Sequence, residues 1–297
     1  MAFIPIYDGN PYNYIRRPWV SWSLILVNVV IFFVFQHGGW EDADRGSVLG
    51  YGLIPAAFNG HDLRPEIYQA FLSSCAPFFG VGERLVHSAQ SCWVQPLPDW
   101  ATLFTYAFLH GDFWHILGNM VFLWVFADNI EDSLGHFRFL VFYVLCALAG
   151  GFAYIWSDPV SIAPVIGASG AVAGIVAAYF ILYPFAKVWI LILGRIPLRL
   201  NAFLVLGFWI LFQVYSLVVV DDSGDNIIAW WVHIGGLAAG AVLVVVLRRK
   251  GVRLFYHPPP PVPMTPPPAA APVIAAGGPD RRETEPTGYV DGPWGRH

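Results

Sequence analysis

Hydrophobic residues along this chain gather in long, nearly unbroken runs, with polar residues collected between them. Six runs approach the roughly 20 residues that a helix needs to cross a bilayer. They lie near 19–36, 112–130, 137–156, 166–183, 203–220 and 228–247. The periodicity within them is helical, and nothing in it points to a β-barrel. Asp112, following His110-Gly111, is placed to cap the second run, and Pro184 after Tyr183 stops the fourth. The run from Trp19 to Phe35 lacks a small-residue cleavage site after it and reads as a first span rather than a signal peptide. Residues 187–200 are apolar but broken by Gly194, Pro197 and two arginines, and read as an interfacial segment. The pattern predicts an all-α polytopic membrane protein with six transmembrane helices.

Three regions follow. Residues 1–18 form an N-terminal segment, 19–250 a six-helix membrane domain that includes a long outer loop over 37–99, and 251–297 a proline- and alanine-rich tail. That tail holds too little apolar surface to fold and is expected to stay disordered. No internal repeat is visible. Composition agrees with a membrane setting. Of 297 residues, 57% are hydrophobic and 12% charged, against about 25% charged in soluble domains. The distribution of charge says more than the net value of −4. With the N-terminus inside, the inner side carries Arg16, Arg17, Arg138, Lys187, Arg195, Arg199, Arg248, Arg249, Lys250 and Arg253. The outer side carries only Arg45, Arg64 and Arg84. Positive charge stays in the cytoplasm, so both termini are expected there. The acidic connection Asp221-Asp222-Ser223-Gly224-Asp225 then falls outside.

Strongly polar residues inside spans are costly and are candidates for function. His115, Asn119, Ser169 and His233 stand out, with His110 just ahead of the second span. Singly, each has a plainer explanation. A serine between small residues is most often a packing residue, and a membrane histidine or asparagine is often a hydrogen bond between helices. Depth argues for a common site. Ser169 and His233 lie roughly 21 and 22 Å above the inner ends of their helices, at Tyr183 and Arg248. His115 and Asn119, roughly 24 and 18 Å above Glu131, bracket that level, and their i, i+4 spacing puts them on one face. Gly170 and Gly174 on the fourth span, and Gly236 and Gly240 on the sixth, make two GxxxG patterns that permit close backbone approach. Both begin within a turn of the serine or the histidine.

These residues resemble the signature segments of the rhomboid proteases: His110-Gly-Asp-Phe-Trp-His115-Ile-Leu-Gly-Asn119, Gly167-Ala-Ser169-Gly170 and His233-Ile-Gly-Gly236. Asn129-Ile-Glu131-Asp-Ser-Leu-Gly135 resembles the family's acidic turn after the second span. The likeness covers about residues 100–247, in order. It implies a rhomboid-like bundle and an intramembrane serine endopeptidase that cleaves transmembrane proteins near the outer membrane face. Ser169 would be the nucleophile and His233 its base, a dyad with no carboxylate. The side chains of His115 and Asn119 and the Ser169 N–H would form the oxyanion hole. His110 would line the cavity or support the outer loop, with Gly167 and Gly170 supporting the site. Glu131 would tie down the inner turn, and Gly236 and Gly240 would be structural. The family often has an aromatic four residues after the nucleophile, beneath the base, where this chain has Ala173. Some members have a Trp-Arg pair where Ala101-Thr102 stands, and a glycine at the position of Ala127. The competing readings are a catalytically inactive member that binds membrane clients and a transporter or channel, whose repeated halves are absent here. No metal, cofactor or nucleic-acid partner is expected; the partners are the bilayer and transmembrane substrates. A cytoplasmic (inner) membrane is the expected location.

Of the three cysteines, Cys75 and Cys92 share the outer loop and Cys146 lies in the third span. The outer side is the oxidising one, where disulfides persist. A Cys75–Cys92 bridge would close a loop worth roughly 3 kcal/mol on the chain-entropy model. Cys146 has no partner at its depth and is expected to stay reduced.

Overall fold

A computed structural model describes residues 3–39, 47–48, 50–60, 97–192, 194–219 and 230–257. The expected Cys75–Cys92 bridge, most of the outer loop, the acidic connection and the tail beyond His257 lie outside them. Strand β1 is Phe3–Asp8, followed by helix α1 at Trp19–Val30 and a π-helical turn at Ile31–Phe35. Short helix α2 (Pro55–Phe58) and helix α3 (Asp99–Thr105) precede α4 (Phe113–Phe122), which runs through a π turn at Leu123–Ala127 into α5 (Asp128–Leu134). Then come α6 (His136–Ser157), α7 (Ser169–Leu182), strands β2 (Lys187–Ile192) and β3 (Ile196–Asn201), α8 (Ala202–Val219) and α9 (Trp230–Leu247).

Helices therefore stand over all six apolar runs. Three of them, α6, α8 and α9, are long and apolar enough to cross a membrane, while Trp19–Phe35 and Ser169–Leu182 are shorter. Half of the α6 span is buried in protein, but only 28% of α8 and 33% of α9. In water such apolar exposure would be costly, and a lipid surround removes the cost. Central α7 is enclosed along most of its length, from Gly170 to Tyr179.

Glycine sets how closely the central helices approach. A Cβ added to Gly236 on α9 would lie 2.0 Å from the Gly170 carbonyl oxygen, and one on Gly240 would lie 2.3 Å from that of Gly174. Both distances are far inside contact, so α7 and α9 pack backbone against backbone, the arrangement that small residues allow. On the other flank of α9, a Cβ on Gly235 would meet the Ala149 carbonyl of α6 at 2.5 Å. Cys146 of α6, a free buried thiol, occupies the space beside Gly174.

The chain is mostly helical, but the all-α expectation needs a correction. Strands β1, β2 and β3 form an antiparallel sheet in that order. Residues 187–201, read from the sequence as an interfacial segment, are a hairpin. It turns about Gly194 at φ +67°, with Arg195 N–H donating to the Ile192 carbonyl at 3.0 Å. Val188 and Ile190 point into the core, while Trp189, paired with Arg199 and Tyr7, faces outward. That inward–outward alternation is the signal of a half-buried strand. Pro5 is tolerated because β1 is an edge strand.

The N-terminal segment is bound to the acidic turn of α5. Asp132 accepts from the backbone N–H groups of Asn13, Tyr14 and Ile15 at 2.7–2.9 Å. Buried Glu131 accepts from Val20 N–H (3.0 Å), Ser21 N–H (2.7 Å) and Ser21 Oγ–H (2.6 Å), and contacts His136 Nδ1 at 2.5 Å. Pro18 offers α1 no side-chain cap, so Glu131 satisfies the orphan amides from another element. Asp8 accepts from Asn129 Nδ2 at 2.9 Å and from the Tyr179 hydroxyl. Burial, reinforced by the neighbouring Asp128 carboxylate, pushes the Asp8 carboxyl up to about 8.

Candidate active site

Ser169 is the first residue of α7, where backbone N–H groups have no partner within the helix. The segment before it is pinned from three sides. Leu53 and Val165 exchange backbone hydrogen bonds of 3.0 and 2.8 Å, Ala56 N–H donates to the Ser161 carbonyl at 3.0 Å, and Gly167 N–H donates to the Tyr106 carbonyl at 2.8 Å. Tyr106 is itself fully buried, its hydroxyl donating to the Ala147 carbonyl at 2.5 Å.

Gly167 has φ +124°, and a Cβ there would stand 2.8 Å from His115 Nε2 and 3.7 Å from Ser169 Oγ. Glycine therefore serves twice: it permits the backbone turn into α7, and it leaves room for the imidazole beside the serine. His115 is carried by α4, whose N-terminus is capped by Asp112. The Asp112 Oδ1 accepts from Trp114 N–H at 2.7 Å and His115 N–H at 2.9 Å. One turn further along α4, Asn119 is buried at 6% exposure. Its Nδ2 has no hydrogen-bond partner among the described residues. A buried amide donor left open is costly, and here it sits on the helix face that carries His115.

His233 is carried by α9, which packs on the start of α7. Gly236, one turn below it, rests on the backbone of Gly170, the residue after Ser169. Val232, just before His233, also packs on Gly170, its Cγ1 standing 2.9 Å from where a Cβ would be. These contacts set His115 beside Gly167 and Ser169, and seat Val232 and Gly236, which flank His233, on Gly170, with Asn119 a turn along α4 from His115. His110 is buried and stacks edge-to-face on His115 at 5.2 Å. Its backbone N–H donates to Gln36 Oε1 at 2.8 Å, and its carbonyl accepts from Gln36 Nε2 at 2.9 Å, which ties the approach to α4 to the end of the first helix. Glu131 is not part of this group; it serves α1 at the opposite end of the α4–α5 helix.

Three residues around His233 were not singled out from the sequence. Ala173 is fully buried and offers no ring to His233. Instead, Trp209 of α8 lies 5.9 Å from the imidazole at a 38° tilt, and Trp230 of α9 meets it edge-on at 6.0 Å. Gln213 of α8 places Oε1 2.7 Å from His233 Nδ1. Gln213 carried a usable signal, being a strongly polar residue in an apolar run. The tryptophans carried none, because aromatics in spans are commonplace.

The site contains a hydroxyl, the imidazoles of His115 and His233, an amide donor with no partner among the described residues and the N-terminus of α7. That set suits acyl transfer, in which a nucleophile, a base and donors to a developing oxyanion converge. Among the described residues, no three His, Cys, Asp or Glu side chains cluster as a metal site.

Comparison with known proteins gives the same direction. A family profile described as the rhomboid domain matches residues 98–250, more than half of the chain. The chain is 35% identical over 86 residues to the mitochondrial rhomboid protein 1 of Saccharomyces cerevisiae, covering 28% of this chain and 25% of that one. It is 33% identical over 87 residues to a candidate rhomboid protease of Bacillus subtilis, YdcA, covering 29% and 43%. It is 29% identical over 154 residues to the mitochondrial RHOMBOID-like protein 12 of Arabidopsis thaliana, covering 46% and 43%. The chain thus spans less than half the length of each of these relatives.

Proposed function

Because this chain belongs to the rhomboid family, we propose that it is an intramembrane serine endopeptidase that cleaves transmembrane proteins with a Ser169–His233 dyad. His233 takes the Ser169 hydroxyl proton as Oγ attacks the scissile carbonyl carbon. The carbonyl π electrons move to oxygen, and the resulting oxyanion is met by the Ser169 N–H, Asn119 Nδ2 and His115. When the tetrahedral intermediate collapses, the C–N bond breaks and His233 returns the proton to the leaving amine. Water then attacks the acyl-serine ester, giving its proton to His233, and the ester bond breaks with reprotonation of Ser169. The oxyanion donors act on charge that exists only as the reaction proceeds, so they support turnover more than binding.

The observation that carries this reading is the seating of Gly236 on the Gly170 backbone. It packs α9, which carries His233, backbone against backbone on α7, which begins at Ser169. In the same reading the membrane domain covers 19–250 and has six spans in a cytoplasmic membrane. Both termini are cytoplasmic, and the site opens to the outer side, on the strength of the arginine and lysine distribution. Substrates enter as single spans whose helix unwinds readily, since helical hydrogen bonding otherwise hides the scissile carbonyl.

The test is cleavage by the purified full-length protein in proteoliposomes against a panel of tagged single-span substrates. Product from the wild type, and none from the Ser169→Ala and His233→Ala proteins, supports the proposal. Binding of the panel without cleavage by the wild type would replace it with a client-binding role.

A further inference from the structure

The geometry points to Gln213 as the positioning residue of the base, a neutral third member behind the Ser169–His233 pair; this inference rests on the dyad reading. Gln213 projects from α8 and is buried at 3% exposure. Its Nε2 donates to the Trp209 carbonyl, one turn earlier on the same helix, at 3.3 Å. A carbonyl can only accept, so the amide nitrogen must face Trp209 and the amide oxygen must face His233. The 2.7 Å contact between Gln213 Oε1 and His233 Nδ1 then has one assignment, in which Nδ1 carries the proton and donates it. In a neutral imidazole the second nitrogen, Nε2, is then the acceptor. That tautomer leaves Nε2 free to take a proton from the serine.

Orientation needs a second constraint, because a ring held by one hydrogen bond can still swing about it. Trp209 and Trp230 supply the walls, one tilted beside the imidazole and one edge-on. Trp209, with Ile210, also packs against the small apolar cluster of Ala173, Ala177 and Leu237. Ala173 leaves the space, and α8 fills it with an indole and a hydrogen-bond acceptor. The base on α9 is therefore held by the neighbouring helix α8 rather than by the helix that carries the nucleophile.

The role of Gln213 separates cleanly from packing by two substitutions of similar volume in the full-length protein. Gln213→Met keeps bulk and is apolar, but has no acceptor for Nδ1–H. It should lower kcat by about 10- to 100-fold, less than the ~10⁴-fold loss when the carboxylate of a serine-protease triad is neutralised, and leave KM and the thermal midpoint near wild type. Gln213→Glu keeps the acceptor and should retain kcat within a few-fold. A packing role predicts the reverse order, with methionine tolerated and glutamate harmful, and that order would overturn the inference. Should either variant fail to fold, ¹⁵N NMR of the histidines in the wild-type protein decides it. Protonated Nδ1 on neutral His233 supports the assignment, and a proton on Nε2 contradicts it. A fluorophosphonate probe keeps the two readings apart. If the wild type does not label at Ser169, the dyad itself falls. If it labels and the methionine variant labels as fast, only the positioning role falls.

Discussion

Gly236→Ala perturbs the contact on which the site depends. The added methyl would fall 2.0 Å from the Gly170 carbonyl oxygen and 2.8 Å from its carbon, whereas Cβ atoms essentially never approach a neighbour within 3.0 Å. Both partners are backbone, so no side chain can swing aside, and α7 and α9 must part by about 1 Å at the least. His233 lies one turn above this point on α9, and Ser169 precedes Gly170 on α7, so the separation passes directly to the proposed Ser169–His233 dyad. A misplacement of that size costs on the order of 10²-fold in rate, and overpacking costs about 1–3 kcal/mol of stability. The assay is the initial rate of tagged-substrate cleavage in proteoliposomes, run well below the unfolding midpoint of the variant. Gly207→Ala is the companion, because a Cβ there meets only Phe180 Cε2 at 3.4 Å, an ordinary contact, and it should stay within a few-fold of wild type. A folded Gly236→Ala protein with wild-type turnover would refute the claim that glycine contact sets the site geometry.

Two further outcomes follow from the same structure. Asn119→Ala should lower kcat by about 10²–10³-fold, the range for a lost oxyanion donor, with KM little changed; steady-state kinetics showing a change in KM alone would make Asn119 a binding or packing group. Asp8 is held up to about 8 by burial and by Asp128, well above its unfolded value of 3.8. The folded state then binds the extra proton between those two values, so stability falls as pH rises from about 4 through 8. Thermal midpoints recorded across that range should decline for the wild type and flatten for Asp8→Asn; equal slopes for the two would contradict it.

Much of the helical architecture could be read from the chain because one physical rule, unbroken apolar length, governs where helices form. The glycine spacing on α7 and α9 likewise announced close packing, and Asp112 announced a cap. The sheet was harder to see. Its strands are six residues each, two of them inside an apolar stretch interrupted by Gly194 and Pro197, which are turn and edge residues here. Strand β1 was hidden because its partner is about 180 residues away in sequence, and no local period can register such pairing. The docking of residues 8–21 on Asp128, Asn129, Glu131 and Asp132 was invisible for the same reason: the acidic turn could be recognised, but not the amides it accepts from. Around His233, Ala173 marked a missing aromatic, yet only the fold brings Trp209 and Gln213 of α8 to the imidazole.

The central claim is that Ser169 is a nucleophile activated by His233. Its most direct measurement is fluorophosphonate labelling of the purified, folded protein, with the modified residue located by mass spectrometry of its peptides. One adduct is expected, on Ser169, absent from Ser169→Ala and strongly slowed in His233→Ala. A folded wild type that takes up no label, or a Ser169→Ala protein that labels equally well, would contradict it.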